Sequence, residues 1–309
     1  MAALGRNSVT AIGEQTAKGT EATTLTELLA TSNNLETTVN YIKSEALTGK
    51  RFAEESYIAA FAVSGSIGAE VDDNLFGLIL KHALGSVSTV ANQDGTYTHT
   101  FKPGLTLSGW LTFIKMLKDE GYYEKFVDCR ISQLSLNLTS QAILTCNLDI
   151  LGITGSQIDG TAITTANTGN RLFAWDTTVT LDGADATALV DEFSFQHNNG
   201  IKEDDYGLSQ YRRTLDAENS EHTFNMTLQF DKTTYLNLKN KLASGAILPL
   251  GISVGSTLQI TYPKAKLTEV SAPITGGGKI LVNLAGEALW DSTQDANVVV
   301  DLTNDVASY

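Results

Sequence analysis

A strand that runs directly into a helix occurs twice in this chain, and the repetition limits the folds open to it. In Phe61–Gly85, FAVSGSIGAEVDDNLFGLILKHALG, the residues Phe61, Val63, Ile67, Ala69 and Val71 alternate with smaller or polar ones. That is the period-two mark of a half-buried strand. Asp72 is placed to accept the free N–H groups of a first helical turn. Leu75, Phe76, Ile79, Leu80 and Ala83 form one apolar helical face, and Gly85 supplies the left-handed residue that ends the helix. The pattern returns in Phe224–Gly245, FNMTLQFDKTTYLNLKNKLASG. Phe224, Met226, Leu228 and Phe230 alternate, Asp231 is the cap, Tyr235, Leu236 and Leu242 are expected to face inward, and Gly245 is the stop.

Further features recur in the same order. Lys50-Arg51 precedes the first strand and Arg212-Arg213 the second. After the first helix comes a hairpin pattern, Ile131–Leu138, a turn at Thr139-Ser140-Gln141, then Ala142–Leu151. After the second comes Leu267–Ile274, a turn at Thr275–Gly278, then Lys279–Leu289. A spacing of roughly 140–160 residues between these features is long enough for two similar domains, and 309 residues suit two of about that size. The expected division is an N-terminal arm, 1–35, a first domain, 36–160, and a second, 161–309.

Gly is plentiful at 26 and Pro scarce at 4, while Thr, Ser, Val and Ile recur in short runs, which predicts many short strands. No apolar run approaches the ~20 residues of a membrane-spanning helix, and the N-terminus lacks the basic-then-apolar pattern of a secretion signal. The net charge is −14, with 11 basic against 17 acidic residues up to Gly160 and 10 against 18 beyond it. A chain acidic in both halves repels phosphate everywhere rather than attracting it along a stripe. The only cysteines, Cys129 and Cys146, lie in strand-like sequence and read as buried free thiols in a reducing compartment.

Residues 1–35 carry too little apolar material for a core of their own and are expected to pack elsewhere as an arm. Strands are expected at Leu35–Ile42, Tyr57–Val71, Thr96–Phe101, Arg171–Leu181, Asp191–His197 and Asn297–Leu302. Lys43–Ser56 and Asn198–Ser220 read as exposed, charged connections. Trp110–Met116 fits a strand or a helix face. Strand is favoured, because the corresponding Ile247–Val254 holds Pro249 and Gly251 and cannot be a good helix. The class is mainly β, with one helix per half closing an open end of each strand layer.

Chemistry-bearing motifs fail on context. Gly251-Ile252-Ser253-Val254-Gly255 matches G-x-S-x-G, but strand-like Ser256–Tyr262 follows where a nucleophile elbow needs a helix. The glycines before Lys279, and Gly49-Lys50-Arg51, lack the spacing and the following helix of a phosphate loop. His82, His99, His197 and His222 make no pair at helical metal-ligand spacing, and His82 is expected at the surface or its boundary. No metal, cofactor or catalytic site is expected.

The arrangement resembles the tail tube, or major tail, protein of long-tailed bacteriophages, and through a shared fold the tube protein of type VI secretion. The resemblance covers about Ile12 to Trp290. It rests on GEQTAKGTEATT (Gly13–Thr24), the charged connection entering Phe61–Gly85, THTF (Thr98–Phe101) and KFVDCRISQLSLNLTSQAILTCNLDILG (Lys125–Gly152). The second half departs from the pattern by being shorter between helix and hairpin. What the resemblance implies is a duplicated tail-tube-type β-barrel or sandwich domain, each copy with one flanking helix. Subunits join strands edge to edge into rings, rings stack into a tube, and DNA leaves the capsid through the lumen without specific binding. With two domains per chain the implied ring is a homotrimer with pseudo-six-fold symmetry, the alternative being a homohexamer. A tape measure protein and tail terminator or tip proteins are the implied partners. The implied location is the virion tail, after assembly in the bacterial cytoplasm, with no membrane involved. Lumen-facing candidates are Asn147, Asp149, Glu269, Asn283 and Glu287. Inter-ring candidates are Lys50, Arg51, Glu54, Glu55, Glu203, Asp204, Asp205, Arg212 and Arg213. The competing class is a secreted or surface β-sandwich that binds carbohydrate or protein. The absence of a secretion signal, of disulfides and of an aromatic-lined site argues against it.

Overall fold

The computed structural model describes residues 4–47, 49, 51–52, 55–158, 164–274 and 276–309. Strand makes up 54% of it and helix 11%, so the protein is mainly β as expected. The chain opens with β1 (Ser8–Gln15), β2 (Thr26–Glu27), β3 (Ala30–Asn33), β4 (Glu36–Lys43), β5 (Ser56–Glu70) and α1 (Leu75–Leu84). It continues through β6 (Gly85–Ala91), β7 (Tyr97–Pro103), β8 (Trp110–Leu117), β9 (Tyr122–Thr139), β10 (Thr145–Gly152) and β11 (Thr154–Ile158). The second half holds β12 (Thr177–Leu181), β13 (Ala184–Asp185), β14 (Val190–Asn198), β15 (Glu221–Gln229) and α2 (Lys232–Ser244). It ends with β16 (Ile247–Val254), β17 (Leu258–Ser271), β18 (Leu281–Ala288) and β19 (Val299–Asn304).

Eight strands form one antiparallel run, β4-β5-β10-β9-β14-β15-β18-β17, and β3 continues the line of β4 against β5. A second layer consists of β2-β1-β8-β9-β11 and β13-β12-β16-β17-β19-β7-β6. The long strands β9 and β17 belong to both layers, their first parts to the second and their last parts to the first. Alternation builds the core between them. In β10, Cys146, Leu148 and Ile150 are buried while Thr145, Asn147 and Asp149 turn to the other face. Ile12, Phe113 and Phe126 of the second layer meet Leu134, Leu148, Phe224 and Leu284 of the first in one apolar cluster.

The second half repeats the pairings of the first. β12, β13, β14, β15, β16, β17, β18 and β19 pair as β1, β2, β3–β4, β5, β8, β9, β10 and β11 do, and α2 follows β15 as α1 follows β5. Irregularities recur with them. The register shifts between Leu111 and Phe113 in β8–β9, and between Leu248 and Leu250 in β16–β17. It skips Ser132 in β9–β10 and Thr268 in β17–β18. It shifts between Ala30 and Ser32 in β3–β5, and between Val190 and Glu192 in β14–β15. A bulge bends and twists its strand locally, so bulges at matching places mark a repeated backbone and not merely a repeated composition. The hairpin β6–β7 has no counterpart, which is why the second half is shorter between helix and hairpin. β7 pairs with β19, from Phe101↔Val300 to Tyr97↔Asn304.

The helix ends follow the sequence. Asp72 Oδ1 accepts the N–H groups of Asn74 (2.9 Å) and Leu75 (2.7 Å), and Gly85 ends α1 at φ 98°. Asp231 Oδ2 accepts the N–H of Thr234 (2.8 Å), and Gly245 ends α2 at φ 65°. The faces differ from expectation. α1 is buried nearly all round, its far side covered by β6–β7 and by Tyr309 against Gly77. On α2 only Leu238 is buried; Tyr235 and Leu242 are partly covered and Leu236 is 49% exposed.

Other expectations are corrected. The segment read as an N-terminal arm contains β1, which pairs with β8 over all eight of its residues and buries Ala11 and Ile12 completely. Leu25, Leu28 and Leu35 are buried as well. The strand expected over Arg171–Leu181 forms only at β12, after a short 3-10 turn at Ala174–Asp176. His82 is buried, not at the surface. Trp110–Leu117 and Ile247–Val254 are strands as expected, and Ser253 lies within the second with β17 following it.

Candidate functional site

The outward face of the eight-stranded run is polar across its middle, from the second part of β5 to β17. One register row reads Glu70, Thr145, Asn137, Ser194, Asn225, Ala285, Glu269 across β5, β10, β9, β14, β15, β18 and β17. The next reads Gly68, Asn147, Ser135, Gln196, Thr223, Glu287, Lys266. Neither row holds an apolar side chain larger than alanine. The residues between them, such as Leu136, Phe195, Phe224 and Leu267, turn into the core. Asn147, Asp149, Glu269, Asn283 and Glu287 all belong to this face, so candidates read separately in two halves share one surface. Sequence reading missed Gln196, Thr223 and Asn225 at its centre, although β14 and β15 alternate in the same polar phase.

On β9, β10, β14, β15, β18 and β17 the face carries five carboxylates, Asp149, Glu192, Glu221, Glu269 and Glu287, against one cation among the described residues of those strands, Lys266, which is 3.8 Å from Glu287. Glu70 at its margin pairs with Arg171. Asp149 is held by Gln133 Nε2 (3.0 Å) and Asn147 Nδ2 (3.1 Å). Small hydroxyls and amides leave the rest of the face to water. A polyanion near such a surface is repelled and finds no cationic groove to hold it.

Both lateral edges of the run are open among the described residues. β3–β4 pairs only with β5, and residues 267–271 of β17 pair only with β18. One end of the face is built differently. There the β4–β5 hairpin projects, with Tyr41, Ile42, Leu47, Phe52, Tyr57 and Ile58 exposed. The connection after β14 lies against its base, Gln210 bonding Phe61 and Ile58 and Tyr211 stacking on Phe61 at 5.1 Å.

The charged residues expected between rings are unequally available. Arg212 is buried and donates to the carbonyls of Glu203 (2.7 Å), Val63 (2.6 Å) and Gly152 (3.0 Å). Arg213 pairs with Asp205 at 2.8 Å, and Glu55 accepts from Tyr57. Glu203, Asp204 and Arg51 are exposed. Lys50 and Glu54 lie outside the described residues.

A buried polar chain underlies the centre of the face. His197 and His222 are opposite each other in β14–β15, with their Nδ1 atoms 3.2 Å apart. His222 Nε2 is 3.1 Å from the Tyr262 hydroxyl, and His197 Nε2 is 3.1 Å from Asn199 Oδ1. Asn199 Nδ2 donates to the carbonyls of Ala83 and Ile131, both at 2.9 Å, so the chain ties α1 and β9 of the first half to the second. Burial lowers His197 to about 4. Burial, then the neighbouring His197, holds His222 well below its usual value. The thiols are buried and free; burial pushes Cys146 up to about 12 and raises Cys129 as well. Among the described residues no group of three or more His, Cys, Asp or Glu could hold a metal ion. None of their helices is long and apolar enough to cross a membrane.

Comparison with curated proteins gave no match. A family model described as phage tail tube protein matches residues 5–288, which takes in both helices and every strand of the polar face. The chain therefore belongs to the phage tail tube protein family, a family of structural tail components.

Proposed function

We propose that copies of this chain close into rings, that the rings stack into a tube, and that DNA passes through a lumen lined by the polar face. The observation that carries this reading is the eight-stranded sheet, acidic and polar on one side and open at both edges. An open edge is a hazard in a monomer and a means of assembly in a ring. The two repeats act as two tube-type units, so three chains supply 24 strands and a pseudo-six-fold ring. With strands about 4.8 Å apart and tilted about 35–45°, 24 strands give a backbone diameter of roughly 45–50 Å. Side chains take about 10 Å of this, which leaves room for duplex DNA. The projecting β4–β5 hairpin, more apolar than its flanking charges suggest, is the stacking element. Family membership makes a tape measure protein and terminator or tip proteins the expected neighbours.

Negative-stain microscopy and native mass measurement of the purified protein test this reading. Rings or tubes with a central channel, built from three chains per ring, are expected. Discrete monomers at all concentrations would refute assembly, and six chains per ring would refute the trimer alone.

A further inference from the structure

The joint between the halves carries the geometry for a joint between copies. β9 and β14 pair antiparallel from Thr139↔Glu192 to Gln133↔Asn198. β17 is the counterpart of β9, and β3–β4 of β14, and both have an open outer edge. Shared registers fix which residues correspond. Leu148 pairs with Ile67 and Leu134, as Leu284 pairs with Met226 and Val270. Val270 is therefore the counterpart of Leu134. Asn33 pairs with Ile67 as Phe193 pairs with Met226, so Asn33 is the counterpart of Phe193.

We propose that β17 of one copy pairs antiparallel with β3–β4 of the next in the register Thr38↔Glu269, Thr37↔Val270, Glu36↔Ser271 and Leu35↔Ala272. The proposal rests on the ring reading above and adds which residues meet. The faces are in phase. Leu35 and Val270 are buried and Ala272 packs on the core, while Glu36, Thr38, Ser271 and Glu269 extend the polar face. The backbone is in phase too. Asn199 N–H and Asp191 C=O reach β9 at 2.8 and 3.0 Å, which puts the odd-numbered residues of β14 on the joint side. In β3–β4, Asn34 N–H turns to Ser66 of β5 (3.0 Å), so Leu35 turns outward. Its N–H is held by Asn33 Oδ1 (2.9 Å) and its C=O by Lys115 Nζ (3.3 Å), local stand-ins that a neighbouring strand replaces.

The β17 side also exposes apolar groups that the inner joint covers. Ile274 is 78% exposed, whereas its counterpart Leu138 is 6% exposed opposite Phe193. Phe230, Leu236 and Ile247 are exposed on and beside α2, where a second copy of this chain would lie as the second half lies against α1.

Paired cysteines test the register. Glu36 and Ser271 form a non-hydrogen-bonded pair in it, with Cα atoms about 4.5 Å apart, within disulfide reach. The Glu36→Cys/Ser271→Cys protein, assembled under reducing conditions and then oxidised, is expected to run as covalent dimers and trimers on a non-reducing gel. The Asn34→Cys/Glu269→Cys protein, four residues out of register and so about 13 Å apart, is expected to stay monomeric. Native Cys129 and Cys146 are buried and take no part. Tubes in the microscope without a disulfide in the first variant, or equal cross-linking in both, overturn the register and leave the tube standing. Monomers alone from the unsubstituted chain overturn the tube and the joint together.

Discussion

The proton positions in the buried histidine chain follow from its two ends. Asn199 donates both amide hydrogens to carbonyls, so its Oδ1 must accept from His197 Nε2. His197 Nδ1 is then the acceptor of the imidazole pair, His222 Nδ1 the donor, and His222 Nε2 accepts from Tyr262. Every group is satisfied with both rings neutral, and a proton added to His197 Nδ1 sets two N–H groups against each other. Because folding lowers these pKa values, the unfolded chain binds more protons below about 6.5, and stability falls as pH drops from there towards about 4. The urea midpoint of the wild type is expected to drop steeply between pH 7 and pH 4.5. In a His222→Gln variant that slope should shrink, whatever the midpoint at pH 8; an unchanged slope would show that the pair does not set it. Nothing local in the sequence announces this contact. The two histidines look scattered because a long connection separates the strands that place them opposite, and only the register reveals it.

At the level of elements, hairpins, helix caps and the strand nature of Ile247–Val254 were legible because each is decided by neighbours in sequence. β1 was not. Its buried centre is a short stretch, Ala11, Ile12 and Gly13, flanked by polar residues, and it is buried because β2 and β8 enclose it on both edges. Removing residues 1–15 is therefore expected to give insoluble or unfolded protein, read by far-UV circular dichroism and gel filtration; a soluble, folded truncation would restore the arm. Ile12→Ala should cost about 2–5 kcal/mol in urea unfolding. The pairing of β7 with β19 was equally hidden, since it joins an inserted hairpin to a strand some 200 residues later, a separation at which composition carries no signal. On α2, Leu236 reads as inward from spacing alone, but about half of it is exposed.

For the whole molecule, the proposed lumen makes the polar face the surface that sets the electrostatics of DNA transit. The acidic candidates were legible from strand alternation, whereas their union into one surface depends on the β9–β14 joint, which no local pattern encodes. Asp149→Lys with Glu287→Lys places cations on the face without touching either open edge. Tubes of this variant are expected to form normally and to retain duplex DNA in sedimentation at low salt, where screening is weak, and to release it as salt rises. Wild-type tubes should retain none. Equal behaviour of the two would place these side chains away from the lumen.

The halves are sewn together twice, through β9–β14 in one layer and β7–β19 in the other. A single ladder is a hinge; two ladders at different depths leave no axis to turn about. On the proposed ring reading, each chain is then an arc whose bend is settled when it folds. Pairing at a freely chosen angle propagates into open ribbons, whereas arcs of fixed bend meet end to end after a set number of copies. On the proposed ring reading, the circumference of the tube is in this way a property of the isolated chain, fixed before it meets a second one.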